Sequence, residues 1–148
     1  RAPALQMEGR CACVYFFAEG RSGMGNLLAV GCGGFLGASA RYLVSLAAGR
    51  LDTRGFPLGT FAVNLAGAFL IGFLSELLAR VCPDRNRLRL FLTTGVMGGF
   101  TTFSTFSLET VNLFQAGRPW MAAANVLLSV VFCLAGAAAG KLCAARAA

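Results

Sequence analysis

The sequence predicts an all-α integral membrane protein with four transmembrane helices, the third broken near its middle. Three observations lead there. Hydrophobic residues make up 57% of the chain and charged residues only 13%, against about 25% charged in an ordinary soluble domain. The apolar residues gather in four runs, each near the ~20 residues that a helix needs to cross roughly 30 Å of hydrocarbon. The segments between the runs are short and carry most of the basic residues. A chain of 148 residues is expected to form one such domain.

Residues 1–24 differ in character from the rest of the chain. They mix Arg1, Pro3, Gln6, Glu8, Arg10, Glu19 and Arg21 with a short apolar patch, Cys11 to Ala18. That patch is too short to span and lacks a signal-peptide layout. This stretch reads as a disordered or artefactual leader, and residues 25–148 as the membrane domain. The first run extends from Leu27 to Ala48 and the second from Leu58 to Leu78. The third extends from Leu90 to Phe114 and the fourth from Trp120 to Gly140. Pro57, Pro83 and Pro119 stand at or beside span starts, where a missing N–H does no harm. Trp120 fits the interfacial aromatic belt. Small residues recur at helix-packing spacing: Gly33 with Gly37, Gly34 with Ala38, Ala68 with Gly72, and Gly136 with Gly140. Such faces let helix backbones approach closely in lipid. They report packing and say nothing of function.

The net charge of +7 sits on the membrane flanks, which fits a bilayer and not a groove-reading face, so no nucleic-acid partner is expected. Arg80, Arg85, Arg87, Arg89, Lys141 and Arg146 fall on one side, and Arg50, Arg54 and Arg118 on the other. The positive-inside rule then favours both termini in the cytoplasm. The chain has no histidine, which removes the commonest general base and the triads built on it. Cys11 and Cys13 form a lone C-x-C with no second pair at zinc-ligand spacing, and Cys32, Cys133 and Cys143 lie in or beside apolar runs. Neither a cysteine metal site nor a disulfide is expected. No nucleophile–base pair is visible, so the chain does not read as an enzyme.

The chemistry concentrates in GVMGGFTTFSTFSLE, residues 95–109, in the middle of the third run. Adjacent Gly98 and Gly99 weaken a helix by roughly 1 kcal/mol each relative to Ala. Backbone freed at membrane depth must be satisfied by protein or by a water-filled path. Free carbonyls at such a break are ligands for a small cation, and the neighbouring hydroxyls can meet an anion. Phe103 and Phe106 share a helix face. Their ring edges are positive and could strip water from a small anion without trapping it; equally, aromatic rows at this spacing are commonly packing. Asn64, deep in the second run, is costly in hydrocarbon unless partnered, either by an anion or by another helix. Ser129 in the fourth run has the same two readings. Arg41 near the end of the first run is a snorkelling anchor or a positive entrance for anions. Glu109 is an intramembrane carboxylate and hence a functional candidate.

From Gly25 to Gly140 the chain resembles the CrcB/Fluc fluoride channels. The resemblance is carried by GGFLGASARY (33–42), GTFAVNLAGAFLIGF (59–73) and, most specifically, GVMGGFTTFSTFSLE. It implies passive export of cytoplasmic fluoride across the cell inner membrane, lowering fluoride toxicity. It implies a dual-topology homodimer with two pores, with which the six-to-three charge bias sits uneasily; some family members work instead as two homologous chains paired in opposite orientations, and both arrangements stay open. A structural Na+ at the dimer centre would be held by the backbone carbonyls of Gly98 and Thr101. Phe103 and Phe106 would face fluoride. Asn64, Thr60, Ser129 and Asn125 would supply pore hydrogen bonds, with Arg41 and Glu109 in the vestibule. Family members usually carry Tyr at the Asn125 position and a hydroxyl or small residue at that of Cys133. Two other functions fit parts of the sequence: a small proton-coupled exporter of cationic drugs using Glu109, and a non-transporting scaffold built on the glycine faces.

Overall fold

A computed structural model describes residues 23–50, 55–82 and 84–147, all of whose regular structure is helical. The expected leader falls, up to residue 22, outside the described residues, as do Cys11, Cys13, Arg54 and Pro83. Helix α1 (Gly23–Ala48) begins four residues before the first predicted span. Helix α2 (Leu58–Val81) starts directly after Pro57, and α6 (Pro119–Ala147) starts on its proline. Among the described residues these three helices are long and apolar enough to cross a membrane. The third apolar run is divided. A short α3 (Asn86–Arg89) leads into a π-helical stretch, Leu90–Met97, then α4 (Gly98–Phe100) and, after Thr101 and Thr102, α5 (Phe103–Gln115).

The helices associate as two parallel pairs through their small residues. In the first pair, α1 lies on the π-helical stretch and α4. A Cβ on Gly33 would strike the Phe91 carbonyl and Gly95, and one on Gly37 would strike Val96 and Phe100. Gly99 is equally confined, with its face against the Gly34 carbonyl. In the second pair, Gly72 of α2 meets the Ala137 carbonyl of α6, and Gly140 of α6 meets Phe69 and Phe73. The ring of Phe61 packs edge-on to Phe132 at 6.2 Å, extending the same register. Lipid supplies no hydrophobic drive between helices, so close backbone approach and dispersion must hold these seams.

One sequence expectation is displaced. The adjacent glycines are expected to mark the interruption of the third run, yet Gly98 is helical, with φ −64° and ψ −37°. The backbone becomes extended at Thr101 (ψ 155°) and Thr102 (φ −150°, ψ 114°). Gly99 is consumed by its contact with α1, and the departure from helical geometry happens where α2 offers a partner.

Gly37 and Gly31 should therefore respond oppositely to enlargement. Gly37→Val should lower stability by roughly 1–3 kcal/mol through overpacking. Gly31→Ala, with nothing within 4 Å of the added carbon, should leave stability unchanged or raise it by up to about 1 kcal/mol. Equilibrium unfolding in detergent measures both.

Candidate functional site

The site is built around the extended step at Thr101 and Thr102. Asn64 on α2 donates from Nδ2 to the Thr102 carbonyl at 3.0 Å, and its Oδ1 accepts from the Thr102 N–H at 2.8 Å. The side-chain amide thus pairs with a backbone residue as a neighbouring strand would. Gly67, one turn further along α2, permits the approach: a Cβ there would strike the Thr101 methyl. The Thr102 hydroxyl caps α5 by accepting from the Thr105 N–H at 3.2 Å, and it also bonds the Thr105 hydroxyl at 3.0 Å. Two carbonyls lose their helical donors as a result. The Thr102 N–H that would reach Gly98 goes to Asn64, and the Thr105 N–H that would reach Thr101 goes to the Thr102 side chain.

Beside this step lies a cavity of about 400 Å³. Asn64, Thr101, Thr102, Phe103, Phe106 and Ser129 line it, and Ala68, Ile71, Val130, Cys133 and Leu134 complete the wall. No lining residue carries a charge. The Phe103 and Phe106 rings lie 5.4 Å apart and tilted by 42°. Their environments differ: Phe106 is 8% exposed and Phe103 78%. The polar groups here are a backbone segment, an amide and hydroxyls, so whatever they hold is met by partial charges alone.

A second cavity, about 560 Å³, is lined by Gly55, Phe56, Pro57, Glu109, Asn112, Leu113, Ala116 and Arg118. Thr60 donates to Glu109 Oε1 at 2.8 Å, while the other carboxylate oxygen is buried without a hydrogen-bond partner.

The family model for the CrcB-like protein, camphor resistance (CrcB), matches residues 28–141. The chain belongs to the CrcB family. It is 56% identical over 119 residues to the fluoride-specific ion channel FluC of Ruminiclostridium cellulolyticum, covering 80% of this chain and 92% of that one. It is 48% identical over 117 residues to FluC of Clostridium novyi, covering 76% and 91%. It is 48% identical over 121 residues to FluC of Geobacter sulfurreducens, covering 82% and 98%. Family membership and the apolar helices make this a multi-pass membrane protein, and a member of a channel family, not an enzyme.

Of the residues singled out from the CrcB-like sequence, the structure draws some together and separates others. Asn64, Thr101, Phe103, Phe106 and Ser129 share one cavity. Thr60 and Glu109 pair with each other near the second. Gly98 is exposed, three residues before the extended step. Arg41, partly exposed on α1, lines neither cavity; Arg118 is the basic residue that lines the second cavity together with Glu109. Asn125 is only 1% exposed and also lines neither. Sequence reasoning misses the organising role of Thr102, although a signal for it exists: a hydroxyl residue directly before the apolar start of α5 is a helix N-cap.

Asn64→Leu should leave the Thr102 N–H and carbonyl without partners in an apolar setting. Each such group costs about 1–3 kcal/mol, so the variant should unfold in detergent at least about 2 kcal/mol more easily than the native chain. An unchanged unfolding free energy would show that the amide does not hold this backbone.

Proposed function

We propose that this chain conducts fluoride passively out of the cytoplasm, as one half of a dimer in which a second copy or a homologous chain lies in the opposite orientation. One observation carries the reading: two phenyl rings, an amide and a hydroxyl converge on a cavity whose wall holds no charged side chain. A small anion is strongly hydrated. It must lose water to pass, and something must replace that water without binding so tightly that passage stops. Ring edges, hydroxyls and amide N–H groups offer partial positive charge of that kind. The relatives' name, fluoride-specific ion channel, supports the same conclusion.

Each residue then has a task. Phe103 and Phe106 present ring edges to the ion. Asn64 has spent one N–H on Thr102 and keeps its second for the anion. Ser129 reaches fluoride with its hydroxyl, and Thr60 with Glu109 borders the path toward the second cavity, where Arg118 raises the local anion concentration; Arg41, which lines neither cavity, adds positive charge to the same field only from α1. Helices α3 to α5, with the π-helical stretch between them, act together as the third of four spans, interrupted at Thr101 and Thr102. The open face of Phe103 favours a dimer, because a second chain would complete the wall.

A structural Na+ fits the same step. The Gly98 and Thr101 carbonyls are those whose helical donors are diverted, and neutral oxygens of this kind suit a hard monovalent cation. Two carbonyls from each of two chains would hold it, and the ion would supply fixed positive charge at the dimer centre.

Purified protein in liposomes should release fluoride rapidly when valinomycin sets the charge balance, without a proton gradient and without releasing chloride. Absence of release from assembled protein refutes the reading for this chain alone; release that requires a proton gradient points to a carrier. Phe106→Ile, which removes the ring edge and keeps an apolar side chain, should lower fluoride flux by about tenfold or more while the protein still assembles. Wild-type flux in that variant would remove Phe106 from the path.

A further inference from the structure

Resemblance groups Asn125 with the pore residues, yet it is the most deeply buried polar side chain among the described residues, at 1% exposure. Its Nδ2 donates to the Thr110 hydroxyl oxygen at 2.9 Å. That hydroxyl donates its one proton to the Phe106 carbonyl at 2.7 Å. On the other side, Ser129 Oγ lies 3.5 Å from Asn125 Oδ1. The sense of this chain of bonds is set by its end. A carbonyl only accepts, so the Thr110 proton is committed to Phe106, and the Thr110 oxygen must accept from an N–H. Asn125 therefore turns its amino group to Thr110 and its carbonyl to Ser129, and all three bonds donate in one direction from α6 into α5.

We propose that Asn125 is a positioning residue: a strut between α6 and α5 that holds the Phe106 backbone and the Ser129 hydroxyl in place for the ion. The inference rests on the reading that the cavity beside Phe106 passes fluoride. Phe106 contributes a ring to that cavity but is held from behind, through its own carbonyl, by a residue that does not touch the cavity. The other end of the strut sets Ser129. At 3.5 Å the hydroxyl–amide bond is at the limit of a hydrogen bond. Asn125 thus parks the Ser129 proton without committing it, and an anion in the cavity recovers that proton by a rotation about one side-chain bond. A residue that could not accept would leave the hydroxyl unoriented, and a carboxylate in its place would hold the proton fast.

The test uses Asn125→Ala, Thr110→Val, the double variant and Thr110→Ser in reconstituted protein, with amide exchange over residues 104–112 read by mass spectrometry. Either single change should lower fluoride flux roughly three- to tenfold, the range of a lost interhelical hydrogen bond in a membrane. The double variant should be no worse than the weaker single one, because both cut the same strut. Thr110→Ser keeps the hydroxyl and should retain native flux. Amide exchange in α5 should quicken by a similar factor in Asn125→Ala. Should that variant fail to assemble, Thr110→Val cuts the same link with Asn125 in place and is read for flux and exchange. Native flux in the single variants, or additive losses in the double, overturns the strut; additive losses would mean that Asn125 meets the ion itself. If the native protein passes no fluoride, the channel reading falls, and exchange alone decides: faster exchange in the single variants upholds the strut, and unchanged exchange overturns it.

Discussion

The pairing of Asn64 with the Thr102 backbone is the constraint on which the rest of the site depends. Backbone that leaves a helix inside a membrane needs a partner for its N–H and its carbonyl, and water is not at hand to supply one. An asparagine side chain is a peptide group on a short stem and offers both halves of that partnership at once. By accepting the Thr102 N–H, Asn64 releases the Gly98 carbonyl. By holding Thr102 extended, it places the threonine hydroxyl to cap α5 and so fixes the direction in which Phe103 and Phe106 emerge. One side chain on α2 thereby decides the course of a different helix.

That arrangement rests in turn on the glycine seams. Asn64 reaches Thr102 because α2 is held against α6 at Gly72 and Gly140, and because α4 is held against α1 at Gly37 and Gly99. Gly67 then lets the two pairs meet, its missing side chain leaving room for the Thr101 methyl. The seams are made largely of backbone, which is rigid, and the polar contacts between the pairs inherit that rigidity. Loose packing would let the amide and the extended residue drift apart, and a partly satisfied polar pair in hydrocarbon is worse than none.

Much of this is legible in the sequence, for reasons that can be named. The apolar runs are unmistakable because lipid demands length as well as hydrophobicity. Asn64 stands out because an amide in such a run needs a reason, and the spacing of Phe103 and Phe106 puts both rings on one face. The exact place where the third run leaves helical geometry is not legible. Gly98 and Gly99 are the weaker helix formers, but the deciding contact is with a residue 38 positions away, and no local pattern reports that. The π-helical geometry of Leu90–Met97 is hidden for the same reason: no residue type in it demands wider turns. The bond from Asn125 to Thr110 is not legible either, because resemblance carries a position's location and not the direction its side chain takes. Arg118 reads in the sequence only as a flanking charge, since its neighbourhood with Glu109 exists only in three dimensions.

Helix α6 carries its own ruler. Trp120, at its start, and Lys141, near its end, are twenty-one residues apart, or about 32 Å along a helix. That length matches the ~30 Å of hydrocarbon between the two interfaces where such residues settle. Ser129 lies within a few ångströms of halfway along it. On that register the cavity it lines falls near the middle of the span, the depth at which an ion without water is worst off. A dielectric barrier has one summit, and the channel proposed above would have its neutral donors there, set by the vertical register of α6.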